Sequence, residues 1–109
     1  MPYDSGLAAG RNLLIHTIST DFLVYFDDDF QVTHATNIQK MVATFDVLPS
    51  VMIVGGIVSD RKDFGFRFKV EGQILQQQPR TPLAEPEGCS MADIVPNFFA
   101  ARVDELRAI

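Results

Sequence analysis

The chain has 109 residues, 47% of them hydrophobic, with nine Phe and no Trp. That length suits one small domain, and the apolar content excludes wholesale disorder. A formal net charge of −5 and a pI near 4.7 argue against broad contact with a nucleic-acid backbone, which needs a basic face. A nucleotide ligand stays compatible with this charge, because a metal can supply positive charge locally.

Cys89 is the single cysteine, so no disulfide can form within the chain. With no helix start or basic neighbour to activate a thiolate, it reads as inert. No apolar run approaches the ~18 residues needed to span a bilayer. The first residues have neither the basic n-region nor the apolar core of a signal peptide. The chain is therefore expected to be soluble as written.

Asp4 and Ser5 are candidate caps for a helix beginning near Gly6 or Leu7. Leu7, Arg11, Leu14 and Ile18 fall on one face of it, and β-branched and hydroxyl residues at 17–20 should end it. Residues 21–26 then read as a buried strand, apolar without alternation and so covered on both faces. The strand stops at three consecutive carboxylates, Asp27, Asp28 and Asp29. Crowded like charges repel unless something positive sits among them, and hard divalent cations prefer oxygen ligands. Open α/β folds bind ligands at the carboxyl ends of their strands, which is where this triplet would lie.

Thr36 and Gln39 form a capping-box pattern before a second helix. Ile38, Met41, Val42 and Phe45 recur at helical spacing, and Pro49 marks the end. Residues 51–58 read as a strand interrupted by Gly55 and Gly56, a bulge or a close backbone approach. A polar turn at 59–63 leads to Phe64, Phe66 and Phe68, an alternating strand whose rings read as core. A hairpin through Glu71 and Gly72 reaches Ile74 and Leu75. Residues 76–88, with prolines at 79, 82 and 86, read as a long surface loop. Residues 93–101 return to apolar character, and a helix should begin near Val103. His16 and His34 match no zinc spacing and read as structural or exposed. Helices alternating with strands predict an α/β fold with a mainly parallel sheet.

Three segments together carry a resemblance. Gly6 to Leu14 reads Gly-Leu-Ala-Ala-Gly-Arg-Asn-Leu-Leu, the strand and its acids follow at Phe22 to Phe30, and Val54 to Gly56 reads Val-Gly-Gly. In that order they resemble the GT-A nucleotide-sugar glycosyltransferases, in particular the family-2-like β-1,4-N-acetylgalactosaminyltransferase branch. Asp93 to Ala101, with its Val-Pro-Asn-Phe-Phe, resembles the same branch. The likeness runs from about Gly6 to Leu106.

The resemblance implies a partial GT-A, Rossmann-like domain over residues 1–109. The first strand–helix–strand unit and the C-terminal end of that fold are not in the chain. It implies an enzyme that transfers a sugar, an N-acetylhexosamine in the branch resembled, from a UDP-sugar with inversion. The acceptor would be a glycan, glycolipid or glycoprotein. The Asp-x-Asp motif of the family maps onto Asp27 and Asp29, which would hold Mn²⁺ or Mg²⁺ against the donor diphosphate. In an extended backbone these two would share one side, with Asp28 pointing away. Asp29 would coordinate directly, and Asp27 would contact the ribose or a metal-bound water. Arg11, Asp27 and Asp28 are the expected nucleotide-binding residues, and Asn12 would brace the loop. The catalytic base of the family is expected beyond Asn97, Phe98 and Phe99. Asp104, Glu105, Asp93 and Glu87 stand in no base motif. Animal members of the branch work in the Golgi lumen behind a membrane anchor.

Two rival readings remain at this level. One is a non-catalytic α/β binding module of the same fold. The other is a different metal-dependent nucleotidyl or phosphoryl transferase, weakened by the lack of a Gly-x-x-x-x-Gly-Lys loop. An incomplete sheet would also expose an edge that invites self-association.

Overall fold

A computed structural model describes residues 5–58, 67–86 and 88–109. The Asp4 cap, the turn at 59–63, Phe64, Phe66 and Glu87 lie outside the described residues. In chain order the elements are α1 (Leu7–Thr17), β1 (Phe22–Phe26), α2 (Ile38–Val47), β2 (Ile53–Gly55) and β3 (Arg67–Glu71). They continue with β4 (Ile74–Gln78), β5 (Thr81–Pro82), β6 (Ser90–Met91), β7 (Phe98–Arg102) and α3 (Val103–Arg107).

The expected mainly parallel sheet is not what forms. β7 lies between β1 and β2 and runs antiparallel to both. β1 and β2 do run in one direction, as a strand–helix–strand crossover predicts, but they do not touch as a pair. The two remaining ladders, β3 with β4 and β5 with β6, are also antiparallel. β7 is suited to the central place, whichever way it runs. A central strand is buried on both faces, and Ala100 and Ala101 are both fully buried. Their small side chains let other elements close in on either side.

The register sorts the sheet into two faces. Val24, Ala100 and Val54 align on one, and Leu23, Ala101 and Ile53 on the other. α2 covers the first face, where Met41, Phe45 and Ala100 form the core with Phe22, Val24, Val51, Val54 and Phe98 around them. The Phe22 and Phe45 rings stack with centroids 5.0 Å apart. Arg102 ties this layer together. Its Nε donates to the Val51 carbonyl and its Nη2 to the Phe45 carbonyl, both at 2.9 Å. The second bond satisfies a C-terminal carbonyl of α2 and sets a cation at the negative end of the helix dipole.

α1 starts at Leu7, within the expected range, and it is the capping residues that differ from expectation. α2 is capped by Asn37, whose Oδ1 accepts from Lys40 N at 2.9 Å, rather than by a Thr36–Gln39 box. Thr36 instead accepts from Thr33 N in the preceding turn. On α2 the buried residues are Met41, Thr44 and Phe45, so the buried stripe is rotated from the predicted one. α1 begins at an N-cap Gly6 with φ 86° and no side-chain cap. That backbone conformation is open to glycine at little cost.

The hairpin through Gly72 forms as expected. Glu71 faces Ile74 across a two-residue loop, and Gly72 takes φ 63°. Of β3 only Phe68 is partly buried, so the expected half-buried alternation is confined to that one described ring. The stretch at 76–88 is not all loop. β4 extends to Gln78, and Thr81 and Pro82 pair with Met91 and Ser90.

Candidate functional site

The site is built where the carboxyl ends of β1 and β2 meet the start of β7. β1 stops at Phe26, and Phe30 N donates to the Asp27 carbonyl at 3.1 Å. This closes a four-residue turn with Asp28 and Asp29 at its two central positions. The extended geometry expected for Asp27 to Asp29 is therefore absent, because the strand ends one residue before the triplet. Asp27 is half-buried, while Asp28 and Asp29 are exposed.

Asp27 has a partner that the sequence reading did not include among the site residues. Asn97 Nδ2 donates to Asp27 Oδ2 at 3.3 Å, across 70 positions of chain. Among the described residues, none of the ion pairs involves the triplet; they join Arg67 to Asp93, Lys69 to Glu71 and Arg107 to Asp104. Three carboxylates thus stand at one turn with a neutral amide as their hydrogen-bonded neighbour.

The two glycines at the end of β2 explain themselves here. A Cβ on Gly55 would lie 2.6 Å from Val95 Cβ, and one on Gly56 would lie 2.3 Å from the Phe98 ring. Gly56 N also donates to the Phe98 carbonyl at 2.7 Å. Close backbone approach, rather than a bulge, is the reason for the pair.

Two clefts flank this junction. One, of about 520 Å³, is bounded by Asp29, Phe30, Val32, Ile38, Ile57 and Phe98. The other, of about 570 Å³, runs between the start of α2, Gly55 and Gly56, and the segment carrying Cys89 and Val95. Its charged lining residues are Lys40 and Arg80. Asp29 faces the first cleft; neither Asp27 nor Asp28 lines either one.

Arg11 projects from α1 onto Tyr25, the penultimate residue of β1. It donates from Nη2 to the Tyr25 hydroxyl, and its guanidinium lies 4.8 Å from the ring centroid. Tyr25 in turn stacks on Phe99 at 5.2 Å. Arg11 Nε is buried and has no hydrogen-bond partner. The residue expected to hold a nucleotide is thus anchored to β1, with one polar atom unused.

The other candidates are placed elsewhere. Asp93 accepts from Phe68 N at 2.7 Å and lies 3.9 Å from Arg67. Asp104 and Glu105 are exposed in the first turn of α3, where acidic side chains suit the helix dipole. His16 and His34 are exposed, and Cys89 is half-buried in the larger cleft.

Among the described residues, no three His, Cys, Asp or Glu side chains group to hold a metal on their own. An all-protein metal cage does not fit. A metal shared with a diphosphate does, since Mg²⁺-type ions are commonly held by one or two carboxylates together with substrate phosphates and water. The carboxylates of the turn, which form no ion pair among the described residues, supply that kind of donor.

Comparison with known proteins places these features in context. The profile of glycosyl transferase family 2 matches residues 1–109. The chain is 31% identical over 124 aligned positions to human beta-1,4 N-acetylgalactosaminyltransferase 1, covering 100% of this chain and 22% of that protein. It is 34% identical over 117 positions to mouse beta-1,4 N-acetylgalactosaminyltransferase 2, again covering 100% of this chain and 22% of the relative. The chain therefore spans about a fifth of the length of the curated relatives it matches. No solved structure matches it. Among the described residues no helix is long and apolar enough to cross a membrane.

Proposed function

The chain belongs to glycosyl transferase family 2, and we propose that it forms the donor-handling part of a metal-dependent, inverting enzyme of GT-A type. The donor is a UDP-sugar, an N-acetylhexosamine by analogy with the relatives' names, and the acceptor is a glycan, free or on lipid or protein. The observation that carries this reading is the aspartate turn. It stands at the carboxyl end of β1, beside the close approach of Gly56 to Phe98, and among the described residues no cationic side chain is paired with it.

In this reading Asp27 and Asp29 hold Mn²⁺ or Mg²⁺. Asp28 and Arg11 serve the nucleotide. When bound, the metal supplies Lewis-acid stabilisation of the leaving diphosphate. The protein's own part is to present the carboxylates on a short turn fixed to a strand end.

Calorimetric titration of the chain with UDP in the presence of Mn²⁺ tests this, beside Asp27→Ala and Asp29→Ala variants. Metal-dependent binding that is lost in either variant is the expected result. Unchanged binding in both variants would overturn it.

One observation favours a non-catalytic binding module of the same fold as the second reading. Of the carboxylates weighed as a base, Asp93 accepts from Phe68 N and pairs with Arg67, and Asp104 pairs with Arg107. Donor binding without sugar transfer would support that reading over the first.

A further inference from the structure

We infer that Asn97 is a positioning residue that sets the Asp27 carboxylate for a divalent cation, an inference that rests on the metal-dependent reading above. The argument begins with register. Phe26 pairs with Phe98 at the end of the β1–β7 ladder. One step further along the same antiparallel register, Asp27 falls opposite Asn97. Residues directly opposite in a ladder have Cβ atoms about 4.5–5.5 Å apart, and Asp27 and Asn97 continue that pairing one step past the strand ends. The hydrogen bond at 3.3 Å is the result.

Asn97 is exposed, but the backbone on either side of it is held. The residue before it, Pro96, is buried. The residue after it, Phe98, accepts from Gly56 N at 2.7 Å, and its ring fills the space that a side chain on Gly56 would need. A group on such a fixed backbone can aim another more closely than one on a free loop.

The chemistry of the partner matters as much as its place. An amide donates a hydrogen bond and carries no charge. It fixes one carboxylate oxygen and leaves the negative charge of Asp27 whole for a cation. A Lys or Arg at the same position would fix the carboxylate equally well but would repel the metal. A Ser would be neutral but would have a shorter reach. Second-shell partners of this kind commonly set metal affinity by about 10–100-fold.

The test is the Mn²⁺ dependence of UDP binding to the 109-residue chain, compared with Asn97→Ala. The expected result is a shift of about tenfold toward higher Mn²⁺ for half-maximal binding. UDP affinity should return to the unsubstituted value once Mn²⁺ saturates, and the melting temperature without metal should not move. An unchanged Mn²⁺ dependence would overturn the inference. So would a loss of UDP affinity that persists at saturating Mn²⁺, because Asn97 would then act on the nucleotide or on the fold. If the unsubstituted chain shows no metal-dependent binding, the reading of the aspartate turn fails and this inference falls with it. If that chain binds and only Asn97→Ala is without effect, this inference alone is lost.

Discussion

On one face of the three-stranded sheet α2 buries Met41, Thr44 and Phe45; on the other, α1 buries no residue and leaves Leu7 and Leu14 69% and 63% exposed. Both helices are nonetheless secured at their carboxyl ends by an arginine. Arg102 reaches the Phe45 carbonyl of α2, and Arg107 reaches the Ile15 carbonyl of α1 at 3.1 Å and the Ile18 carbonyl just past its end. The polar fastening is thus the same on both faces, and the apolar burial is not. Burial of apolar surface contributes most of the stability of a small domain. The α2 face should therefore hold the fold, and the α1 face should hold its helix by hydrogen bonds and by the Arg11–Tyr25 contact.

Truncating the best-buried ring is the strongest test of that difference. Phe45 is 1% exposed and stacks on Phe22. Phe45→Ala should cost about 3–5 kcal/mol, transfer and cavity effects together. Domains of this kind have only about 5–15 kcal/mol in total, so urea denaturation should show a large fall in midpoint. A loss below about 1 kcal/mol would mean that the α2 face is not the core.

The two arginines give a finer comparison. Arg102 is half-buried, with its guanidinium 4.8 Å from the Phe45 centroid and 5.8 Å from that of Phe22. Replacing it by Met keeps much of the stem but leaves the Val51 and Phe45 carbonyls without their donor. Arg102→Met should cost about 2–3 kcal/mol, in the range of hydrogen bonds made by charged groups. Arg107 is exposed, and water can take its place at the Ile15 and Ile18 carbonyls. Arg107→Met should cost under about 1 kcal/mol. Thermal melts of the two variants side by side decide the matter, and equal losses would erase the distinction between the faces.

The same contrast explains which features the sequence discloses. Local signals were legible. The apolar run of β1, the helical spacing of α2, the turn at Gly72 and the stop before Pro49 all act within a few residues. Asn37 rather than Thr36 caps α2 because neighbouring residues both had suitable side chains, and only the backbone angles choose between them. Signals that depend on distant pairing were hidden. Nothing near β7 announces that it will enter between β1 and β2, and so the parallel expectation fails. The Asp27–Asn97 contact was invisible for the same reason, since it exists only once Phe26 and Phe98 are in register. Asn97 did stand in the Asn-Phe-Phe stretch of the resemblance, which was its one available sign. The Asp triplet was plain in the sequence, but its turn was not, because the strand ends one residue earlier than an extended Asp-x-Asp needs.

The smallest expected effect is the most discriminating for the α1 face. Leu14 is apolar and exposed, so Leu14→Ala removes a side chain that little in the chain covers. Within one copy the change should fall within about 0.5 kcal/mol. A second copy lying on this face in solution would give a different result. Leu14→Ala would then lose stability with the dimer, and the loss would grow with protein concentration, because association adds to apparent stability by mass action. Chemical denaturation at two concentrations a hundredfold apart separates these outcomes. A small change at both concentrations keeps the contrast between a buried face and a fastened one. A large, concentration-dependent change would show that the α1 face, too, is held by apolar burial, supplied from another molecule.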